Sequence, residues 1–376
     1  MGTFRTPIRL SSRLTARIIP GGHTEKHTAF AAFAVVALLV LAACGNDPTT
    51  TSTGGQPTRP PTTSTPSSPG TLVVYSGRSE TLVDPIIKQF ADATGIDVKA
   101  NYAGTAALAI TLLEEGHNSP ADVFFAQDPG GLGAIQDLFT PISSDLLNLV
   151  PEWARSADGT WVGISGRART LVYNNESLTE ADLPDDIRGL TNPKWKRRLG
   201  WAPTNGSFQA MVTAMRSTWG EAATREWLEG MKANDPTEYP KNTPQVAATA
   251  SGEIDIGLVN HYYLHRFLAE EGESFSARNY HPRAGGPGAL IMVAGAGILA
   301  TADDKENAEK FLEFMLSLVG QQYFASQTFE YPLIDGVNTP LGLTPLDEIN
   351  HPDITPRDMA DLEGTQALLR DIGIIP

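Results

Sequence analysis

Apolar residues after position 70 alternate between continuous runs typical of buried strands and the three-to-four spacing typical of helices. Thr71 to Tyr75 is a short β-branched run and predicts a strand. A helical stripe follows and ends before Gly95, a common helix terminator; its members are Leu82, Val83, Ile86, Ile87 and Phe90. Ile96 to Ala100, Ala106 to Glu115 and Ala121 to Ala126 continue as strand, helix and strand. This pattern predicts a βαβαβ unit.

The same alternation continues through the rest of the chain. Further strands are predicted at Trp161 to Ile164, Arg169 to Asn174, Arg198 to Ala202, Ile254 to Val259 and Leu290 to Val293. Further helices are predicted at Phe208 to Thr218, Glu221 to Lys232, Pro244 to Ala250, Tyr263 to Glu271 and Lys305 to Leu318. Strands that alternate with helices predict an α/β fold with mainly parallel sheets flanked by helices. A body of about 300 residues is long for one hydrophobic core and favours two lobes.

The N-terminus has the composition of a secretory signal. It begins with a basic region that contains Arg5, Arg9, Arg13, Arg17 and Lys26. Ala29 to Ala43 is almost wholly apolar, but it is too short to span a bilayer as a helix. The sequence Leu41-Ala42-Ala43-Cys44 resembles the lipobox of bacterial lipoproteins. We therefore predict a signal peptide over residues 1–43 and lipidation of Cys44, which would anchor the mature chain to the outer face of the cell membrane.

Composition and charge restrict the partners. Residues 44–70 are mostly Thr, Pro, Ser and Gly, so they cannot bury enough apolar surface to offset the entropy of ordering and are predicted to form a disordered tether. The chain has a formal net charge of −15, and loss of residues 1–43 leaves 23 basic and 42 acidic residues, a net charge of −19. This charge disfavours nucleic acid and anionic membrane surfaces as partners. Cys44 is the only cysteine, which excludes an intramolecular disulfide and a thiolate metal site.

Two adjacent tyrosines, Tyr262 and Tyr263, directly follow the predicted strand at Ile254 to Val259. Neighbouring side chains diverge within a strand or a helix, so two phenols converge most easily where one element becomes the other. The carboxyl end of a strand is also where open α/β sheets bind ligands. The alternative is that one tyrosine packs in the core and the other covers it.

Several loops at predicted strand ends carry small, polar or basic residues. The loop Pro203-Thr204-Asn205-Gly206-Ser207 opens a helix and resembles an anion nest, although Asn, Gly and Ser are also ordinary capping residues. Arg78, Arg167 and Arg169 lie near strand ends in an acidic protein. Guanidinium groups in such positions either clamp a small anion or form structural salt bridges.

Several motifs together resemble the ferric-iron-binding proteins of bacterial ABC importers, from about Thr71 to Asn338. The motifs are Val74-Tyr75-Ser76-Gly77-Arg78, Ser119-Pro120-Ala121-Asp122-Val123-Phe124, Trp161-Val162 with Ser165-Gly166-Arg167-Ala168-Arg169, Ala202-Pro203-Thr204-Asn205-Gly206-Ser207-Phe208, Gly252-Glu253-Ile254-Asp255, Asn260-His261-Tyr262-Tyr263, Pro287-Gly288-Ala289-Leu290 and Glu330-Tyr331-Pro332-Leu333.

The resemblance implies a two-lobed type II periplasmic-binding fold with a ligand cleft between the lobes. By this resemblance, the first lobe comprises residues 71–166 and 291–341, and the second comprises 167–290 and 342–376. It also implies delivery of the ligand to a membrane permease and an ATPase, and we expect an extracytoplasmic monomer.

The resemblance assigns Tyr262 and Tyr263 as ligands of Fe(III), and the chemistry agrees, because a hard, highly charged cation favours anionic oxygen donors. A synergistic anion, carbonate, phosphate or citrate, would complete the site. The residues expected to hold that anion or to support the site are Arg78, Arg169, Asn205, Gly206, Ser207, Asn242 and Asn260.

This chain departs from the family pattern on the first-lobe side. Ser79 stands where some members have a histidine, Gln127 where some have a glutamate, and Asn205 where others have a third tyrosine. Asp128 is the one nearby carboxylate that would substitute as a ligand, and Ser79, Gln127 and Asp128 are expected to line the cleft. His261 is expected to lie behind the ligands or at the surface. The pair His261 and His265 would suit Zn²⁺ or Cu²⁺ better than Fe³⁺.

Two rival functions remain from the sequence. The same fold with a different small ligand, an anion, a phosphonate or a polyamine, is the stronger rival, because few side-chain ligands for iron carry over. An enzyme is the weaker rival, because the chain has no Gly-x-Ser-x-Gly elbow, no His-Glu-x-x-His, no phosphate loop and no reactive cysteine beyond the lipobox. We predict a binding protein, not an enzyme.

Overall fold

A computed structural model describes residues 69–376. The predicted signal peptide, Cys44 and the tether up to residue 68 lie outside the described residues. The described part begins at Pro69, whose carbonyl accepts a 2.8 Å hydrogen bond from the Asn307 side chain. Within residues 69–376, none of the helices has the length and apolar character needed to cross a membrane.

The elements alternate as the sequence predicts, and the α/β class is confirmed. The strands are β1 (Thr71–Ser76), β2 (Asp97–Tyr102), β3 (Val123–Ala126), β4 (Trp161–Asn174), β5 (Leu199–Trp201), β6 (Thr237–Glu238), β7 (Ile256–Asn260), β8 (Ala277–Tyr280) and β9 (Ile291–Ile298). The helices are α1 (Glu80–Thr94), α2 (Thr105–Glu115), α3 (Pro129–Ala134), α4 (Ser144–Leu147), α5 (Gly206–Trp219), α6 (Glu221–Ala233), α7 (Asn242–Ala250), α8 (Tyr262–Glu271), α9 (Lys305–Met315), α10 (Leu318–Tyr323) and α11 (Leu362–Asp371).

Two expectations about element boundaries are wrong. The predicted strands at Trp161 to Ile164 and Arg169 to Asn174 form one continuous strand, β4, in which every residue is buried. The polar and small residues between them indicated a loop, but neighbouring strands satisfy their backbone groups. The predicted helix at Lys305 to Leu318 is two helices, because Ser317 caps α10 by accepting a hydrogen bond from Gly320 N at 3.2 Å.

The strands are ordered β2-β1-β3-β9-β4-β7-β5-β6, and β8 pairs with β4. Pairing is parallel among β1, β2 and β3 and among β5, β6 and β7. The strands β4 and β9 pair antiparallel with each other and with their other neighbours. The mainly parallel pattern therefore holds within each group, and β4 and β9 join the two groups.

The hydrophobic core has two principal clusters. One contains side chains from β1, β3 and α1, and the other contains side chains from β5, β7, α5, α6 and α11. The strand β4 contributes Trp161 to the first cluster and Leu171 to the second. The lobe boundaries drawn from the sequence stay a prediction.

The segment around Tyr331 runs beside β4. Gly166 and Tyr331 form a bridge with two backbone hydrogen bonds of 2.8 Å each. The register of β4 against β9 shifts between Gly163 and Ser165, and the Ile164 carbonyl in this bulge accepts a hydrogen bond from the Gln321 side chain at 2.7 Å. This arrangement brings the segment around Tyr331 against the middle of β4.

Candidate metal and anion site

The two tyrosines begin helix α8 immediately after strand β7 ends at Asn260. Their rings stack with centroids 4.3 Å apart and an interplanar angle of 30°. Tyr262 is buried, with 4% of its surface exposed, and Tyr263 is half-buried. The expectation that the phenols lie together at a strand-to-helix junction is confirmed.

The phenol of Tyr262 is held in its neutral form. Burial and the neighbouring Tyr263 raise its pKa, and the charges of Arg167 and Arg78 oppose that rise. A buried phenol of this kind loses its proton when a bound cation supplies compensating charge.

His261 is fully buried next to Tyr262, so of the two positions expected for it, behind the tyrosines or at the surface, it occupies the first. Its Nδ1 accepts a hydrogen bond from Ala168 N at 3.1 Å, and its Nε2 lies 2.8 Å from the Phe329 carbonyl. The ring therefore carries its proton on Nε2, which donates to that carbonyl. His265 is also buried, and its ring stacks on Phe329 with centroids 5.8 Å apart. Both histidines therefore belong to the buried packing around the start of α8.

Three of the residues expected to hold an anion hydrogen-bond to Ser207, and a fourth joins them through Arg169. The Ser207 hydroxyl accepts hydrogen bonds from Arg169 Nη1 at 3.3 Å and from the Asn242 side chain at 3.4 Å. It donates to Asn205 Oδ1 at 2.5 Å. Arg169 Nη1 also donates to Asn260 Oδ1 at 3.0 Å. One network therefore links four elements, which are β4, the first turn of α5, the start of α7 and the end of β7.

The loop before α5 is also an ordinary helix cap. Asn205 is the N-cap residue, and its side chain accepts a hydrogen bond from Ser207 N at 3.0 Å. Gly206 is the first residue of α5, and a Cβ added there would meet no atom within 4 Å. Capping and anion binding are compatible at this position, because a helix N-terminus leaves several N–H groups without helical partners.

Three buried arginines have side-chain N–H groups that lack a hydrogen-bond acceptor among the described residues. Arg78, Arg167 and Arg169 are each at most 2% exposed. Within residues 69–376, five of their nitrogens have no hydrogen-bond partner: Arg78 Nε, Arg167 Nε, Arg167 Nη1, Arg169 Nε and Arg169 Nη2. Burial lowers the pKa of Arg169 to about 9, although the two tyrosines favour its charged form. Buried unpaired donors are costly, so this set fits an anionic ligand.

Arg78 and Arg167 also have protein partners. Arg78 Nη2 lies 2.5 Å from Glu330 Oε1, and the Ser165 hydroxyl donates to Glu330 Oε2 at 2.5 Å. Arg167 Nη2 donates to the backbone carbonyl of Gln127. Of the two alternatives raised by the sequence, Arg78 forms the structural salt bridge, and its Nε has no partner among residues 69–376.

Glu330 was not among the predicted site residues. It is fully buried, although the sequence places it in an unremarkable stretch after α10. The only signal for it was its place in the motif Glu330-Tyr331-Pro332-Leu333.

The first-lobe candidates have other roles as well. Ser79 precedes α1 as its N-cap residue and is exposed, with its hydroxyl 3.0 Å from that of Thr81. Asp128 caps α3 by accepting a hydrogen bond from Gly131 N at 3.1 Å. Gln127 is half-buried. Among the described residues, no group of three or more His, Cys, Asp or Glu side chains is placed to hold a metal ion. A metal in this region would therefore depend on the phenols.

The buried histidines make stability depend on pH. Burial lowers the pKa values of His265 and His281 to about 4 and lowers that of His261 well below its usual value. The unfolded chain binds these protons near pH 6.5, so stability is full above pH 6.5 and falls as the pH drops toward 4. We expect a loss of several kcal/mol across this window, measured by denaturant unfolding.

A His281→Gln variant tests whether the histidines cause this dependence of stability on pH. It should show a shallower loss between pH 6.5 and 4 than the original chain, whereas replacement of the exposed His117 by Gln should leave the slope unchanged. Equal slopes for all three proteins would contradict the assignment.

Comparison with known proteins gives a consistent result. Residues 118–348 match the family described as bacterial extracellular solute-binding protein. The chain is 35% identical over 311 residues to the major ferric iron-binding protein of Neisseria meningitidis serogroup A, a match that covers 81% of this chain and 93% of the relative.

Solved structures agree in fold. The iron-bound HitA from Pseudomonas aeruginosa superposes with a TM-score of 0.76 at 35% identity, covering 81% of this chain and 99% of that one. The Trichodesmium protein IdiA (FutA), solved in complex with iron and citrate, superposes with a TM-score of 0.71 at 28% identity, covering 81% of this chain and 99% of that one.

Proposed function

Because the chain belongs to the ferric-iron-binding proteins within the bacterial extracellular solute-binding family, we propose that it captures Fe(III) with the phenolates of Tyr262 and Tyr263 and a small anion. The chain has the two-lobed α/β fold of type II periplasmic-binding proteins. Family membership also indicates an extracytoplasmic transport protein that serves a membrane permease.

The observation that carries the proposal is the stacked tyrosine pair beside three buried arginines. Fe³⁺ favours anionic oxygen donors, and two phenolates supply them. Arg169 pairs with Asn260 across β4 and β7, two residues before Tyr262, and its Nη1 donates to Asn260 Oδ1 at 3.0 Å. A phenolate–iron centre and an anion that accepts the unpaired guanidinium donors would therefore occupy one continuous site.

Two phenolates leave about four positions of an octahedron for other donors. Ser79 and Gln127 are not strong anionic ligands, and the carboxylate of Asp128 is engaged at the start of α3. The remaining positions are best supplied by the anion and by water. The anion is thus part of the metal site as well as a counter-ion.

Charge favours an anion with more than one negative charge. Three guanidinium groups and the Glu330 carboxylate give a formal excess of about two positive charges, and Fe³⁺ with two phenolates adds about one more. Fully ionised citrate carries three negative charges and balances this excess better than carbonate or hydrogen phosphate, which carry two. Of the three anions considered, we propose citrate first, because its several carboxylates can bind both the metal and the arginines.

A second candidate function is capture of an anion without iron, favoured by the unpaired donors of the three arginines. A phenolate bound to Fe³⁺ absorbs visible light, and an anion alone does not. Addition of ferric citrate to the iron-free protein should therefore produce a coloured complex. If no visible band forms in citrate, phosphate or bicarbonate buffer, the iron assignment is wrong and the anion-only function is favoured.

The last step of the proposed function is delivery of the bound iron to a membrane transporter. The protein would hand its iron to a permease driven by an ATPase, while Cys44 holds it by a lipid anchor at the outer face of the cell membrane as a monomer. Its homologues are iron-binding transport proteins, and we propose no catalytic activity.

A further inference from the structure

Glu330 is a buried carboxylate that enters the charge balance of the proposed site without being one of its ligands. It is fully buried, and both of its oxygens are engaged, one by Arg78 and the other by Ser165, at 2.5 Å each. Ser165 belongs to β4, one of the two strands that join the parallel groups, whereas Arg78 lies just after β1. Glu330 therefore connects β4 to one of the three arginines.

The backbone around Glu330 is held firmly. Phe329, which precedes it, has a φ of 58°, a left-handed conformation that is uncommon for a bulky residue. The Phe329 carbonyl receives the His261 Nε2 hydrogen bond, and Tyr331 pairs with Gly166 through its backbone. Contacts on both sides thus fix the position of the carboxylate.

The residues on either side of Glu330 contact the tyrosine junction. The Tyr331 ring lies 4.5 Å from the His261 ring, and the His261 ring lies 5.7 Å from that of Tyr262, centroid to centroid. Burial lowers the pKa of Arg78, but the Glu330 carboxylate more than offsets that effect and favours the charged guanidinium. Because these groups are buried, their charges act on one another with little screening by solvent.

A purely structural role accounts poorly for this arrangement. An apolar pair of similar volume often stabilises a protein as well as a buried ion pair does, because desolvation of the charges is costly. The pair also leaves Arg78 Nε without a partner among the described residues. What the carboxylate does uniquely is to cancel one of three positive charges beside the phenols.

We propose that Glu330 is a specificity-determining residue, which sets how much negative charge the site accepts from its anion. This inference rests on the anion site of the proposed function and deepens it. With Glu330 present, Arg78 is neutralised, and Arg167 and Arg169 provide the charge that attracts the anion. Without the carboxylate, the site would carry one more positive charge and would favour highly charged anions more strongly.

The test measures the ratio of two affinities. Citrate and bicarbonate are titrated separately into the iron-free full-length protein by calorimetry, and the preference for citrate is compared between variants. Glu330→Gln should raise this preference about tenfold, because citrate has the greater charge. Arg78→Met should lower it by a similar factor, and the double variant should return to the original preference, because the pair is then removed as a neutral unit.

Matched controls separate charge from stability. Asp255→Asn removes a carboxylate from a half-exposed salt bridge with Arg198 and should leave the preference unchanged. If Glu330→Gln fails to fold, the comparison of Arg78→Met with the double variant measures the same change in charge, and the double variant should show the higher preference for citrate.

The outcomes are distinct. An unchanged preference in Glu330→Gln, or equal preferences in Arg78→Met and the double variant, would overturn the inference and leave Glu330 with a structural role. Failure of the original protein to bind either anion would overturn it as well. The iron assignment is judged separately, by the visible band after ferric citrate is added to the same samples, so its failure is distinguishable from failure of this inference.

Discussion

The double variant Tyr262→Phe/Tyr263→Phe is expected to lose the visible band with ferric citrate completely. Phenylalanine keeps the ring and its packing but removes the oxygen that we propose as the metal ligand. The two phenolates are the only anionic protein ligands of the proposed site, so the affinity for Fe(III) should fall by at least about a thousandfold, a loss of roughly 4 kcal/mol. Visible absorbance and competition with a coloured iron chelator measure the two effects.

The control for this variant is Tyr239→Phe. Tyr239 donates a hydrogen bond to Glu253 at 2.9 Å and is outside the tyrosine site. Its replacement removes one phenol and should leave the iron band unchanged. Persistence of the band in the double variant, with a normal melting temperature, would show that other residues bind the iron.

Replacement of Arg169 by methionine should have the second-largest effect. Arg169 is fully buried, it donates to Ser207 and Asn260, and two of its nitrogens lack partners among residues 69–376. Loss of a buried charge that binds an anion typically costs about 2–5 kcal/mol. We expect citrate affinity to fall by about a hundredfold, and iron affinity to fall with it, because the anion supplies ligands to the metal in the proposed site.

Arg169→Lys provides the sharper comparison. Lysine keeps the charge, but it lacks the planar fork that makes two parallel hydrogen bonds. Its citrate affinity should lie between those of the original protein and Arg169→Met. Arg198→Met, which removes an arginine from the salt bridge with Asp255, is the matched control and should bind citrate normally. Normal citrate binding by Arg169→Met would contradict the anion site.

The departures from prediction share a physical cause. The two halves of β4 looked like separate strands because Ser165, Gly166 and Arg167 lack the apolar side chains that predict a buried strand. The structure buries them because β9 pairs on one side and Tyr331 bridges Gly166 on the other. Hydrogen bonds from distant strands, and not local propensity, keep this segment extended.

Among the site residues, local sequence pattern likewise predicts some positions and misses others. The position of Tyr262 and Tyr263 follows from local pattern, because a buried apolar run ends at Asn260 and a helical stripe begins directly after it. The role of Glu330 does not follow from pattern, because its partner Arg78 is 252 positions away in the chain. Spacing along a sequence carries no information about such a pairing.

The sequence by itself determined the α/β class, most of the helices and strands and the placement of the two phenols, because each depends on the periodicity of near neighbours. Its motifs also led to the family. Only the tertiary structure decided that β4 crosses without a break, that three arginines are buried with unpaired donors, and that one carboxylate offsets their charge. These features depend on long-range packing and on the exclusion of water, which arise only when the chain is folded.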